Sequence, residues 1–354
     1  MSPSIRLLAL LAALVLALPA QARPAQPKAG ARAEAGIPYR GRPELKAFAA
    51  EVAARRDWDP AWVMVQLADA RQLPRVAQLI MPPPPGQAKN WAAYRDRFVE
   101  PRRITAGMAF WQEHAATLRR AEQAYGVPPE VVVGIVGVET YFGRITGDFR
   151  VVDALATLAF DFPSGRSDRS AFFRSELEEL LVLARREGVR ASSLKGSYAG
   201  AIGWPQFMPG SINRFAVDFD GDGHIDLQRS VSDVIGSVAH YLQQHGWQRG
   251  LPTHFAVQPP ADDPGRATLL APDIKPSFTP VQFSEQGAQL DEAGRVHDGP
   301  LALVQLQNGD AAPSFVAGTQ NFYAITRYNW SAYYAMAVIT LGEAVKSARS
   351  PAGG

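Results

Sequence analysis

From about Pro43 to Gly250, apolar residues recur at spacings of three and four between Pro and Gly punctuation, a period that predicts a succession of amphipathic helices. It is clearest in Leu45 to Val52, Ile104 to Tyr125, Pro128 to Phe142, Ala171 to Arg186 and Val231 to His245. The run Pro82-Pro83-Pro84-Pro85-Gly86 breaks the series and predicts an extended loop. After Gly250 the period changes. Thr253 to Gln320 is rich in Pro, Gly and Asp, with short alternating runs such as Val281-Gln282-Phe283 and Leu301 to Leu306, which predicts a small β subdomain. A helical period returns from Asn329 to Ser347. The expected fold is therefore mainly α, with the β subdomain (251–320) inserted before a C-terminal segment (321–348) that rejoins the helical body.

The first 22 residues carry a different signal: Arg6, an apolar run from Leu7 to Leu18, and Ala20-Gln21-Ala22, the layout of an export signal cleaved after Ala22. Those apolar residues rise only about 18 Å as a helix, short of a roughly 30 Å hydrocarbon core, and no later stretch is long enough, so no membrane span is expected. A short uncleaved anchor is the alternative. Residues 23–42 begin rich in Ala, Arg, Pro and Gly without apolar period and read as a flexible leader.

Composition narrows the function classes. Of 354 residues, 47% are hydrophobic and 20% charged, which supplies real cores and excludes a disordered chain. Lys plus Arg number 36 against 34 Asp plus Glu, and this balance excludes a strongly basic nucleic-acid binder. No cysteine is present, which removes disulfides, thiolate metal sites, cysteine nucleophiles and lipid attachment through cysteine. Nothing in the sequence speaks for an oligomer, so a monomer is the default.

Two motifs carry chemistry. Val127-Pro128-Pro129-Glu130 is a helix start, followed by an uncharged run from Val131 to Val138 and then Glu139-Thr140-Tyr141-Phe142-Gly143, where Gly143 is placed to close the helix. A helix apolar on nearly all faces is buried, so Glu139 at its end is expected to have a raised pKa, as a general acid at neutral pH requires. The competing reading pairs Glu139 with Arg144 or with backbone donors. The second motif, Asp218-Phe219-Asp220-Gly221-Asp222-Gly223-His224, matches the start of a calcium loop: oxygens at the first, third and fifth positions, glycine at the sixth, and the His224 carbonyl at the seventh. Position twelve is Arg229 instead of the bidentate Glu, which makes Asp233 the nearest candidate for the last ligand. Hard oxygen donors favour Ca²⁺ in a structural role, and no organic cofactor motif is present.

Gly134-Ile135-Val136-Gly137-Val138-Glu139-Thr140, Gly200-Ala201-Ile202-Gly203-Trp204-Pro205-Gln206-Phe207-Met208-Pro209, the acidic loop, Ile235-Gly236-Ser237-Val238-Ala239, and Asn321-Phe322-Tyr323 through Arg327-Tyr328-Asn329 occur in this order between about Trp91 and Gly342. Together they resemble the lytic murein transglycosylase B family. The resemblance implies a lysozyme-like catalytic core (121–250) with an EF-hand-like calcium site, flanked by an α subdomain (43–120) and the β subdomain. It implies cleavage of the MurNAc-β-1,4-GlcNAc bond of peptidoglycan glycan strands, leaving 1,6-anhydromuramic ends, with Glu139 as the single catalytic acid/base. The groove residues of the family fall on Tyr94, Ser197, Gln206, Phe207, Tyr241, Tyr328 and Tyr334. Some members are lipid-anchored through an N-terminal cysteine; its absence here implies a soluble periplasmic form. Two other readings stay open: a muramidase hydrolysing the same bond, and a non-catalytic, calcium-dependent peptidoglycan-binding protein. Ordinary glycosidases use two carboxylates. Asp148, Asp153 and Asp161 follow Glu139 without helical register to it, and one carboxyl suffices when the muramyl 6-hydroxyl is the nucleophile.

Overall fold

The computed structural model describes residues 36–82 and 89–349. The export signal, the first part of the leader, and Pro83 to Gly86 of the proline loop lie outside the described residues. Among the described residues, no helix is long and apolar enough to cross a membrane.

Proline sets where many of the helices begin. Seven of the helices among the described residues, including Pro43–Arg56, Pro60–Leu67, Pro101–Glu113 and Pro129–Thr140, have proline as their first residue, where its fixed φ suits the first turn and its missing N–H costs nothing. The helices Pro43–Arg56, Pro60–Leu67 and Pro74–Leu79 do not pack only among themselves: the Phe48 ring lies 5.8 Å from Phe160, and Arg56 pairs with Glu178 at 2.6 Å. Residues 43–120 are thus split. Their first part leans on the helices Val151–Phe160 and Ser170–Arg186, while Trp91–Arg95 and Pro101–Glu113 pack on the C-terminal helix Ala332–Arg349.

The periodic stretch from Ile104 to Tyr125 is two helices, Pro101–Glu113 and Ala115–Tyr125, broken at His114 (φ −109°, ψ 22°). The break lets the first half pack against Ala332–Arg349 and the second against Val231–Gln244, so a continuous period hides a change of partner.

The buried Pro129–Thr140 helix sits at the centre, against Ala332–Arg349, Pro101–Glu113, Ala115–Tyr125 and Val231–Gln244. Its glycines permit close approach to Ala332–Arg349. A Cβ on Gly134 would lie 2.2 Å from the Val338 carbonyl oxygen, and one on Gly342 would lie 2.1 Å from that of Glu130. This small-residue contact brings the start of the C-terminal helix to the carboxyl end of the central one.

The β subdomain has its own core, made by Phe255, Leu269, Phe283, Ala288, Leu290, Leu301, Leu303 and Ala317. Its antiparallel sheet places His254–Gln258 between Gln289–Leu290 and Ala311–Gly318, with Ala302–Asn308 on the far side of Ala311–Gly318. In register, Phe255 faces Ala317 and Val304 faces Val316. The Leu301–Leu306 run is strand as expected, but Val281-Gln282-Phe283 lies in the helix Pro280–Glu285. Thr279 and Gln282 form a reciprocal capping box there, and this local pairing overrides a three-residue alternation. The subdomain docks on the body where Gly309 N–H donates to the Lys89 carbonyl and Gln307 N–H to the Tyr333 hydroxyl.

Candidate active site

Glu139 is only 8% exposed at the last turn of the central helix. The helix ends at Thr140, earlier than Gly143: Tyr141 and Phe142 already have φ of +53° and +56°, and Gly143 follows at +78°. A left-handed conformation costs a non-glycine residue ~1–2 kcal/mol, so the surroundings must hold this turn. Arg103 donates to the Gly137 carbonyl (3.0 Å) and lies over the Tyr141 ring (4.7 Å). Phe142 packs on Phe110 with centroids 5.3 Å apart. Thr140 Oγ1 donates to the Trp204 carbonyl (2.9 Å) and accepts from Gly143 N–H (3.1 Å). Gly143 must be glycine on space as well as on φ, since its Cβ would fall 2.2 Å from the Trp204 indole.

The Glu139 carboxyl has one hydrogen-bond partner among the described residues: the Tyr334 hydroxyl donates to its Oε1 at 2.6 Å. Burial pushes its pKa up to about 8, with the Tyr334 bond pulling the other way. Arg144 does not pair with it; that guanidinium lies over the Tyr141 ring at 4.7 Å. Among the described residues, no second carboxylate shifts its pKa. Asp153 accepts from Arg71 N–H (2.9 Å) and Arg150 (3.0 Å), Asp161 accepts from Arg42 (2.9 Å) and the Tyr39 hydroxyl, and Asp148 is exposed. A carboxyl that is protonated at neutral pH, oriented through one oxygen and free at the other, is equipped to donate a proton.

An aromatic wall adjoins it. Tyr334 stacks near Tyr328 (6.3 Å), Tyr328 near Tyr241 (4.6 Å), and Phe207 lies 5.6 Å from Tyr328 and 5.2 Å from Tyr241. The tyrosines differ in what their hydroxyls can still do. Tyr334 is engaged with Glu139, Tyr241 donates to the Arg327 carbonyl (2.7 Å), and the Tyr328 hydroxyl is buried without a partner among the described residues. Burial raises all three pKa values, so each hydroxyl stays protonated. Phe207, 2% exposed, is floor beneath these rings. Tyr94 sits among Trp91, Phe98 and Tyr333, near enough to feel the Glu139 charge; burial pushes its pKa up to about 12.

Ser197 and Gln206 lie at the two ends of one folded loop, in which Ser197 N–H bonds to the Ala201 carbonyl and Ile202 and Phe207 exchange backbone bonds. Ser197 Oγ accepts from Ala201 N–H (3.1 Å), and the Gln206 amide donates to the Thr146 (3.2 Å) and Gly203 (2.8 Å) carbonyls, leaving its Oε1 open. Among the described residues, neither is hydrogen-bonded to Glu139. Sequence reasoning did not single out Asn329, which the structure puts beside the aromatic wall. It is 2% exposed with its Nδ2 lacking a partner among the described residues, next to Tyr328 and just before the C-terminal helix. An asparagine between aromatics was the only signal.

The acidic loop gathers the carboxylates of Asp218, Asp220 and Asp222, whose ligand oxygens lie within 4.8 Å of one another. The loop is internally braced: Asp218 accepts from Gly221 and Gly223 N–H (2.7 and 2.8 Å), and Asp222 from His224 N–H (2.8 Å). Three converging carboxylates fit a hard divalent cation, which would offset their mutual repulsion. The exposed His224 ring faces Glu187 (3.7 Å), away from the gathered carboxylates in what it contacts. Asp233 is not among the gathered carboxylates. Its two oxygens accept N–H groups of Phe219 (2.8 Å) and Asp226 (2.9 Å), which bolts the loop to the Val231–Gln244 helix. Past the loop, the Leu227 and Gln228 carbonyls accept the backbone and indole N–H of Trp204 (3.0 and 3.1 Å), the residue whose own carbonyl holds Thr140.

Residues 40–343 match the family model described as Transglycosylase SLT domain. The chain is 39% identical over 322 residues to membrane-bound lytic murein transglycosylase B of Escherichia coli, covering 89% of this chain and 86% of that one. Among solved structures it resembles soluble lytic transglycosylase SltB1 of Pseudomonas aeruginosa (40% identity, 87% of this chain and 99% of that one, TM-score 0.78). It also resembles an Escherichia coli lytic transglycosylase in complex with calcium (38% identity, 89% and 96% covered, TM-score 0.75).

Proposed function

The chain belongs to the transglycosylase SLT-domain family and is a lytic murein transglycosylase, an enzyme acting on peptidoglycan; from that premise we propose that Glu139 is its single acid/base and that the muramyl 6-hydroxyl replaces water as nucleophile. The observation that carries this reading is a buried Glu139, its pKa near 8, oriented by Tyr334 and with no second carboxylate acting on it.

With Oε1 accepting from Tyr334, the acid proton of neutral Glu139 sits on Oε2 and passes to the glycosidic oxygen as the bond from C1 of the muramyl sugar to the GlcNAc oxygen breaks. C1 gains oxocarbenium character. The Glu139 carboxylate, still hydrogen-bonded by Tyr334, then takes the 6-hydroxyl proton as that oxygen bonds to C1, closing the anhydro ring and restoring neutral Glu139. Intramolecular attack carries an effective molarity on the order of 10⁵ M or more, which lets it outrun water without a second carboxylate. The Tyr328 hydroxyl and the Asn329 Nδ2, both without a partner among the described residues, serve as hydrogen-bonding groups for the sugar, and the Tyr94, Tyr241 and Tyr328 rings as surfaces for its apolar faces. Ser197 and Gln206 shape the loop that closes this side of the groove. Mass spectrometry of digested sacculi tests the reading: anhydromuramic ends are expected, and only reducing ends would replace it with a hydrolytic muramidase.

We assign the acidic loop to Ca²⁺, held by Asp218, Asp220, Asp222 and the His224 carbonyl, in a structural role, with the relative crystallised with calcium as support. Bound metal would stabilise the loop whose exit turn fixes Trp204. Chelation is expected to destabilise the fold by ~3 kcal/mol if the ion is present at about a hundred times its Kd; a melting temperature indifferent to chelator would remove the assignment. The export signal and the absence of cysteine support our reading of a mature enzyme free in the periplasm. Recovery in osmotic-shock fluid is expected, and retention in the membrane pellet would contradict it.

A further inference from the structure

The aromatic wall ends in a cationic patch. Tyr241, whose hydroxyl donates to the Arg327 carbonyl, stacks on His245 with centroids 4.0 Å apart, and Phe215 closes on both at 5.2 and 4.9 Å. Arg327 and Arg214 both lie close enough for their charges to act on Tyr241 and His245. His245 is held neutral by burial and by these cations, its Nδ1 bonded to the Tyr241 carbonyl (2.7 Å).

Arg327 is half-buried and preorganised. Its guanidinium lies 5.6 Å from the Tyr323 centroid and 5.3 Å from that of Trp330, and Trp330 is itself anchored to Asp273 (3.3 Å). It forms no ion pair with a carboxylate among the described residues; its one side-chain bond is a long contact with the Tyr323 hydroxyl (3.4 Å). Arg214 is exposed and lies over Phe215 (5.6 Å), and its charge acts on buried Glu176. A planar cation resting against a pair of rings, with no carboxylate partner among the described residues, is built to receive a carboxylate or phosphate.

We infer that Arg327, seconded by Arg214, binds a free carboxylate of the peptide stem carried by the glycan strand, so that this end of the groove selects peptide-bearing murein. The inference rests on the reading of Glu139, Tyr328 and their neighbours as the cleavage site. In an intact strand the lactyl carboxyl of each substituted muramyl residue is tied up as an amide, so the free carboxylates belong to the stem.

The test compares wild type, Arg327→Gln, Arg327→Lys and Arg214→Gln on purified murein strands and on the same strands after their stem carboxyls have been converted to neutral amides. Arg327→Gln is expected to raise KM about tenfold on native strands with kcat within about twofold, to match wild type on amidated strands, and to be partly rescued by Lys. Arg214→Gln should show a smaller loss of the same kind, and amidation should cost the wild type what the Gln variant loses. Equal loss on native and amidated strands would make Arg327 a structural residue, and no loss on either would remove it from recognition; both outcomes overturn the inference. Wild type yielding no anhydro product on either substrate would instead contradict the proposed reaction.

Discussion

Glu139→Gln is expected to slow strand cleavage by about 10²–10⁴-fold, the usual worth of a positioned general acid, while leaving the protein folded. The substitution keeps the shape, and its amide oxygen can still accept the Tyr334 hydroxyl that now bonds Oε1 at 2.6 Å. What it removes is the transferable proton. Because one group protonates the leaving oxygen and then deprotonates the nucleophile, no partner remains to supply either step. Cleavage assays on sacculi beside a thermal melt separate the two effects; retained activity would exclude Glu139, and a lost melt would make the activity result uninformative about chemistry.

The same burial that makes Glu139 an acid makes it a pH-dependent liability. Its carboxyl titrates near 4.5 in an unfolded chain and near 8 in the folded protein, so between those values the folded state holds more protons and its stability falls as pH rises. The contribution is fully present below about 4.5 and is lost as pH passes 8. At ~1.4 kcal/mol per pH unit of displacement, the difference amounts to several kcal/mol in order of magnitude. Wild type and Glu139→Gln should therefore unfold alike in mild acid, and the variant should become the more stable by pH 9; parallel stability curves would contradict the burial argument. Activity should decline on the same alkaline limb, since the reaction starts from the neutral acid.

Much of this was legible in the sequence because it depends on local pattern. The uncharged run before Glu139 stated its burial, the Asp-x-Asp-Gly-Asp-Gly spacing stated the carboxylate cluster, and the change of period after Gly250 stated a β unit with its own core. What escaped depends on partners far along the chain. The helix containing Glu139 stops at Thr140 because Arg103, Phe110 and Trp204 hold Tyr141 and Phe142 in left-handed geometry, against the local advantage of waiting for Gly143. The hydroxyls of Tyr241 and Tyr334 have different employment although both are tyrosines on helices, because one ends at the Arg327 carbonyl and the other at Glu139. Asp233, in the Val231–Gln244 helix, has its two oxygens engaged by backbone N–H groups of the loop side, pairings that no spacing rule reveals.

The central claim is that one carboxyl serves both proton transfers while the substrate supplies the nucleophile, and it is tested most directly by digesting murein with the wild-type enzyme in ¹⁸O-labelled water. Muramyl ends closed as the 1,6-anhydro sugar and free of label are the result the account predicts. Reducing ends carrying ¹⁸O at C1 would mean that water attacks, and would contradict it.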